Sequence, residues 1–267
     1  MPAMSFAAAT AVSPTRDGRY AGVIEPGWDI AGNANGGYLL AIAARAMLAT
    51  ADRPDPVSVT AHYLAPGKPG AVELATELLR RGRRFATVRA LMSTDDQPLM
   101  AVLGSFAELT PVEASERVEG GPPDLPPVED CIAVEPTDTF PPPFMGKVEL
   151  RLHPDDFAFD GGVPTGRLRV RGWFRFRGGE PLDTVGLLVA VDAFPPVTFA
   201  AGLPIAWTPT LELTAHVRAR PGGDWLRCAF TTRFITGGFL EEDGEVWDDT
   251  GRLVAQSRQL ALLPRGS

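Results

Sequence analysis

The chain has 267 residues, 45% of them apolar and 22% charged, which is close to the globular average and enough for a sizeable core. Its net charge of −8 and isoelectric point near 5.0 argue against a nucleic-acid protein, because phosphate binding wants an excess of Lys and Arg. The two cysteines, Cys131 and Cys228, lack metal-ligand spacing and fit a reducing cytosol better than a disulfide scaffold.

Residues 1–12 are small and mildly apolar with no basic stretch, and do not read as a signal peptide. No run approaches the ~18 apolar residues that a membrane span needs. The segment from Gly32 to Tyr38 is loop-like. Leu39 to Ala49 is almost wholly apolar, with Arg45 its one charge. Its Ala, Leu and Met content predicts a helix, and a helix apolar on nearly all sides must be buried on nearly all sides. The closely spaced prolines Pro54 and Pro56 stop it.

Four strands are expected next, at Val57 to Ala65, Ala71 to Leu79, Phe85 to Ser93 and Leu99 to Leu109. The short links between them carry turn chemistry, which predicts consecutive antiparallel hairpins. One link, Arg80 to Arg84, is the densest basic cluster in the chain. It reads as a solvated, charged turn or as a site for ligand phosphates. Residues 111–143 hold nine prolines and several acids, the composition of an extended linker.

The pattern then restarts. Val148 to His153 alternates, and Arg167 to Arg177 alternates more clearly, with an apolar face and an arginine face. Asp183 to Val191 is expected as a second apolar helix with Asp183 as a cap. Strands follow at Thr210 to Ala219, Trp225 to Phe234, Glu241 to Trp247 and Leu253 to Leu263. Shifting the first half by 154 residues places Thr60-Ala61-His62 on Thr214-Ala215-His216, with nine identities in the 47 pairs from Thr60 to Phe106. The chain is therefore expected to be one motif used twice, in units 1–110 and 144–267 joined by the linker.

A buried helix beside a curved antiparallel sheet describes a sheet wrapped around a helix. This resembles the hotdog fold, an α+β class, and two copies resemble a double hotdog of two helix-wrapped sheets. Gly36-Gly37-Tyr38, His62 to Pro66, Val191 to Pro196, Pro209 to Leu213 and Leu253 to Gln259 occur in an order and spacing that resembles the acyl-CoA thioesterase II family and its actinobacterial relatives. The resemblance implies hydrolysis of acyl-CoA in the cytoplasm without metal or cofactor. It also implies a catalytic set of Asp192, Thr210 and Gln259 that holds and activates one water. Gly36, Gly37 and Tyr38, at the start of the first helix, are expected to contact substrate, with helix-end N–H groups facing a developing oxyanion. By analogy with hotdog relatives, a homodimer or higher oligomer is expected.

Alternation along the strand sets Thr210 with Glu212, Thr214 and His216, away from the apolar face. Gln256 rivals Gln259, and the family's spacing selects the latter. Under the 154-residue shift Thr210 falls on Pro56 and Gln259 on Ser105, so one active site per chain is expected. None of the three histidines has an Asp five residues before it, and no G-x-S-x-G is present, which argues against a hotdog hydratase and against a serine hydrolase. The alternative is a hotdog protein that binds acyl-CoA or an acyl chain without turning it over.

Overall fold

The computed structural model describes residues 4–95, 97–109, 117–137, 140–159 and 162–263. The apolar segment Leu39 to Ala49 forms the helix that its composition predicts, and the helix extends beyond it at both ends, taking in Gly36 to Tyr38, which were expected as loop. A short helix, α1 (Phe6–Ala9), precedes an edge hairpin, β1 (Val12–Arg16) and β2 (Arg19–Ile24), and a two-residue ladder, β3 (Asp29–Ile30) with β4 (Asn33–Ala34). Helix α2 then runs Gly36–Ala51. Eleven of its sixteen residues are buried, and Arg45 is half-buried, its guanidinium 2.8 Å from Asp183 Oδ2. Asp52 ends the helix in a left-handed conformation (φ 51°).

Strands β5 (Asp55–Tyr63), β6 (Gly70–Arg81), β7 (Ala86–Thr94) and β8 (Gln97–Ala107) follow within two or three residues of the expected bounds. Their pairing departs from a simple meander. β5 pairs with β8, and the order is β6-β7-β8-β5. The link over residues 64–69 is therefore a crossover and not a hairpin. Three inter-strand steps of about 4.8 Å are within reach of six extended residues at about 3.4 Å each. Helix α2 packs against β1, β2 and β5 to β8 together, so this half of the sheet wraps it.

The second half repeats the plan. Strands β9 (Ile132–Val134), β10 (Val148–Leu152) and β11 (Arg169–Phe176) come first, then helices α3 (Gly186–Ala190) and α4 (Val197–Ala200). Strands β12 (Thr210–Val217), β13 (Leu226–Thr231), β14 (Ile235–Thr236), β15 (Phe239–Asp248) and β16 (Leu253–Leu262) complete the chain. Helix α3 is shorter than expected, beginning three residues later, at Gly186, and ending one residue earlier, at Ala190. Asp183 does cap its start, accepting from Gly186 N at 2.7 Å. The order β2-β6-β7-β8-β5 in one half mirrors β11-β13-β15-β16-β12 in the other.

The expected pair of separate sheets is not what forms. β5 and β12 pair antiparallel and join both halves into one 14-stranded sheet. The seam runs through the repeated tripeptide: Thr60 lies opposite Thr214, their hydroxyls 2.9 Å apart, and His62 lies opposite Glu212. Strand edges left unpaired invite association, and fusing the two edges removes them.

The proline-rich stretch is more structured than an extended linker. Residues 111–116 and 138–139 lie outside the described residues. In the remainder β9 pairs with β10, and Val134 joins the core. Trp173 Nε1 donates to Pro126 O at 3.0 Å and Arg171 Nη1 to Asp124 O at 3.0 Å. The arginine face of β11 is thus covered by this segment, with Arg171 paired to Asp156 and Arg175 to Glu149.

Candidate active site

Where the N-terminus of α2 meets the end of α3, the two helices touch backbone to backbone. A Cβ on Gly37 would lie 2.5 Å from Leu188 O, so only glycine allows this approach. The contact brings Asp192, just past α3, onto the first turn of α2. Gly37 N donates to Asp192 Oδ2 at 2.8 Å. Asn35, the N-cap of α2, donates from Nδ2 to Asp192 Oδ2 at 2.9 Å and to Asp192 O at 2.8 Å. A helix N-terminus favours an anion. Burial opposes it and prevails, pushing the Asp192 carboxyl from 3.8 up to about 6, against the Gly37 N–H, the Asn35 amide and the Gly36 N–H.

Beside Asp192 opens a cavity of about 480 Å³. Its walls are mostly apolar, among them Leu39, Phe140, Met145, Phe159, Phe194, Phe199 and Trp207. Asp192, Thr210 and Gln259 all line it, so the three predicted catalytic residues share one cavity. Thr210 arrives there by a route that strand alternation does not give. The pairing of β12 with β16 skips Leu211, with Thr210 opposite Ala261 and Glu212 opposite Leu260. This bulge reverses the face of the preceding residue. Thr210 turns inward, while Glu212, Thr214 and His216 stay on the other face. The same irregularity occurs in β5 between Pro56 and Ser58, 154 residues earlier, so the repeat extends to the bulge itself.

Thr210 Oγ1 donates to Gln259 Oε1 at 3.1 Å, and Gln259 Nε2 donates to Glu242 Oε1 at 2.9 Å. Glu242 stands directly across the β15–β16 ladder from Gln259 and lines the same cavity. Its other oxygen, Oε2, accepts from Val197 N at 3.2 Å. Burial pushes its carboxyl from 4.5 up to about 7, opposed by the Val197 N–H and the Gln259 amide, with the Asp192 and Glu241 charges adding to the rise. Glu242 went unnoticed in the sequence, yet the signal was there: in β15 it falls among the inward positions Leu240, Gly244 and Val246. Asn35 likewise is legible as an N-cap, a polar residue directly before the apolar helix.

The expected substrate contacts are redistributed. Gly36 lines the cavity. Gly37 lies behind Asp192, and its N–H is given to that carboxylate and not to an oxyanion. Tyr38 is fully buried, stacked on Trp28 with ring centroids 4.6 Å apart. Its hydroxyl donates to Ala9 O and accepts from Glu25 N, so it is a core residue and does not line the cavity. Tyr63 takes a place at the wall instead. Its hydroxyl is buried without a hydrogen-bond partner among the described residues. It lies 2.9 Å, and Asp192 Oδ2 3.0 Å, from the point that a Gly36 Cβ would occupy.

The basic turn Arg80–Arg84 is remote from the cavity. Arg81 donates to Ala51 O and Thr50 O at the C-terminal end of α2, about 24 Å along a 16-residue helix from Asp192. It caps the helix, as a cation at a helix C-terminus should. Among the described residues no group of His, Cys, Asp and Glu could hold a metal ion.

Residues 24–107 match the family model described as acyl-CoA thioesterase N-terminal domain, and residues 122–263 match the acyl-CoA thioesterase C-terminal domain. An uncharacterised protein of Mycobacterium tuberculosis is 32% identical over 92% of this chain and 91% of its own length. A candidate thioesterase II from Thermobifida fusca superposes with a TM-score of 0.90 at 33% identity, covering 99% of each chain. A protein of unknown function with a hot dog fold, from Alicyclobacillus acidocaldarius, superposes at 0.86 with 23% identity over 98% of each chain, a likeness of fold alone. Taken with the hotdog fold, these matches show that the chain belongs to the acyl-CoA thioesterase II-like family.

Proposed function

We propose that the protein hydrolyses acyl-CoA thioesters with Asp192 as general base and with Thr210 and Gln259 holding the attacking water. The observation that carries this reading is the Asp192 carboxylate. It is clamped by Asn35 and Gly37, raised by burial, and faces the cavity that Thr210 and Gln259 also line. A carboxyl near 6 is ionised at neutral pH yet basic enough to take a proton from water. Holding base and water in place supplies the entropic part of the rate.

The water oxygen adds to the thioester carbonyl carbon while its proton passes to Asp192. The tetrahedral adduct collapses with cleavage of the C–S bond. The leaving thiolate takes that proton from Asp192, which restores the base and gives a carboxylic acid and the free thiol of CoA. Thr210 spends its hydroxyl proton on Gln259, so its oxygen presents lone pairs to the water. Gln259 gives one N–H to Glu242 and keeps the second for the water or the carbonyl oxygen. The apolar wall takes the acyl chain. In this reading water is the nucleophile and no covalent acyl-enzyme forms, Asp192 acting as base on that water.

The double-hotdog reading belongs to the same proposal. Units 1–110 and 144–267 are two hotdog copies fused at β5 and β12, and the described part of the stretch between them packs on the second. The first copy has Pro56 and Ser105 where the second has Thr210 and Gln259, so each chain has one site. Thiol release from acyl-CoAs of graded chain length tests the activity. If wild type and Asp192→Asn release thiol at equal rates, the mechanism fails. If neither does while acyl-CoA still binds, the chain is an acyl-CoA binding protein.

A further inference from the structure

Glu242 is a buried carboxylate at a position where packing alone asks for an apolar residue, as the inward neighbours Leu240 and Val246 show. The charges that act on it are those of Asp192, across the cavity, and of its strand neighbour Glu241, on the opposite face, both acidic. No Arg or Lys forms an ion pair with it among the described residues. A buried charge without a counter-charge lowers stability. Both of its oxygens accept hydrogen bonds, one from Val197 at the start of α4 and one from Gln259.

The Gln259 amide has an oxygen end and a nitrogen end of nearly equal size, and packing does not distinguish them. Thr210 does not distinguish them either, since a hydroxyl can donate or accept. An ionised carboxylate only accepts, so Glu242 draws the nitrogen end and leaves Oε1 for Thr210. We infer that Glu242 is a positioning residue for the hydrolysis: it fixes the Gln259 amide orientation and thereby makes Thr210 an acceptor toward the nucleophilic water. The inference rests on the thioesterase reading for its kinetic consequence, though not for the orientation itself. Without Glu242 the amide can turn over. Thr210 then accepts from Nε2 and directs its own proton at the water, where a lone pair is needed.

The test uses Glu242→Gln, an isosteric neutral replacement, with Glu242→Met as a second, space-filling variant. The expected result at pH 8 is a midpoint of unfolding equal to or above wild type, with kcat lowered at least tenfold and KM within twofold. A merely structural Glu242 would give the opposite pairing, lost stability with kcat retained in the folded fraction. The orientation is read separately from the ¹⁵N-labelled side-chain amide of Gln259, assigned by its loss in Gln259→Glu. Wild type is expected to show one slowly exchanging NH₂ pair, and Glu242→Gln a doubled or fast-exchanging pair. Wild-type turnover with an unaltered kcat in both variants overturns the inference. An unchanged Gln259 amide signal in both variants overturns it as well. Absence of turnover in wild type overturns the thioesterase reading instead, and the amide signal still decides the orientation.

Discussion

Replacing Asp192 by Asn separates the electrostatic cost of the site from its packing. The asparagine is isosteric, and its Oδ1 can still accept from Gly37 N and Asn35 Nδ2, as Asp192 Oδ2 does. What is lost is the charge. The folded carboxyl titrates at about 6 instead of 3.8. Because the folded value is raised, this group favours folding fully only below the unfolded value, and that contribution is lost as pH rises through about 6. A rise of about two pKa units corresponds to at most about 3 kcal/mol. The variant should therefore be more stable than wild type at pH 8, by about 1–3 kcal/mol, or about 2–4 °C per kcal/mol for a chain of this size. The gap should close as pH falls through 6 toward 4. Urea denaturation of both proteins across this pH series reads it directly. A variant less stable than wild type at pH 8, or a gap that does not change with pH, would refute the raised, buried carboxylate on which the catalytic account depends.

Three further outcomes follow from the same geometry. In wild type, kcat/KM for a good substrate should begin to fall as pH drops through about 7, where Glu242 takes up a proton, and be lost below about 6, because protonated Asp192 cannot act as a base; a flat profile from pH 5 to 8 would contradict this. Gly37→Ala sets a Cβ 2.5 Å from Leu188 O, and the forced separation of α2 and α3 should cost at least about 1–3 kcal/mol in urea denaturation, with activity falling alongside as Asp192 loses its donor. Tyr63→Phe removes a buried hydroxyl that has no partner among the described residues, so its melting temperature should equal or exceed wild type, by up to about 1 kcal/mol in stability; clear destabilisation would mean that the hydroxyl is bonded in solution.

Much of the fold was legible because it rests on local signals. The run Leu39 to Ala49, apolar but for Arg45, was readable as a buried helix, and the strands with turn chemistry between them lie close to where alternation put them. The repeated Thr-Ala-His tripeptide pointed to the mirrored strand order of the two halves, and the structure places its two copies at the β5–β12 seam. Pairing was less legible. Which strand neighbours which depends on how the sheet wraps α2, and a six-residue link reads alike as a loop or as a crossover. The edge hairpin β1–β2 was missed because β1 carries Pro14 and is mostly exposed, leaving little alternation to read.

At the site, the family resemblance selected Asp192, Thr210 and Gln259, and all three reach one cavity. The residues themselves said less. Alternation put Thr210 on the wrong face, since a bulge is a property of two paired strands and not of one sequence. Tyr38 was drawn to the site by its neighbours Gly36 and Gly37, but its ring points one step further round the helix, into the core. Glu242 was readable from the inward phase of its strand, though its partner Gln259 appears only once the β15–β16 register is known.

The account turns on one activity. Free thiol released from a panel of acyl-CoAs at pH 8, by wild type and by Asp192→Asn side by side, tests it most directly. The expected result is turnover of at least one chain length by wild type and a drop of at least about a hundredfold in the variant, the range that general-base catalysis supplies. Equal rates in the two proteins, or no release by wild type from any member of the panel, would contradict it.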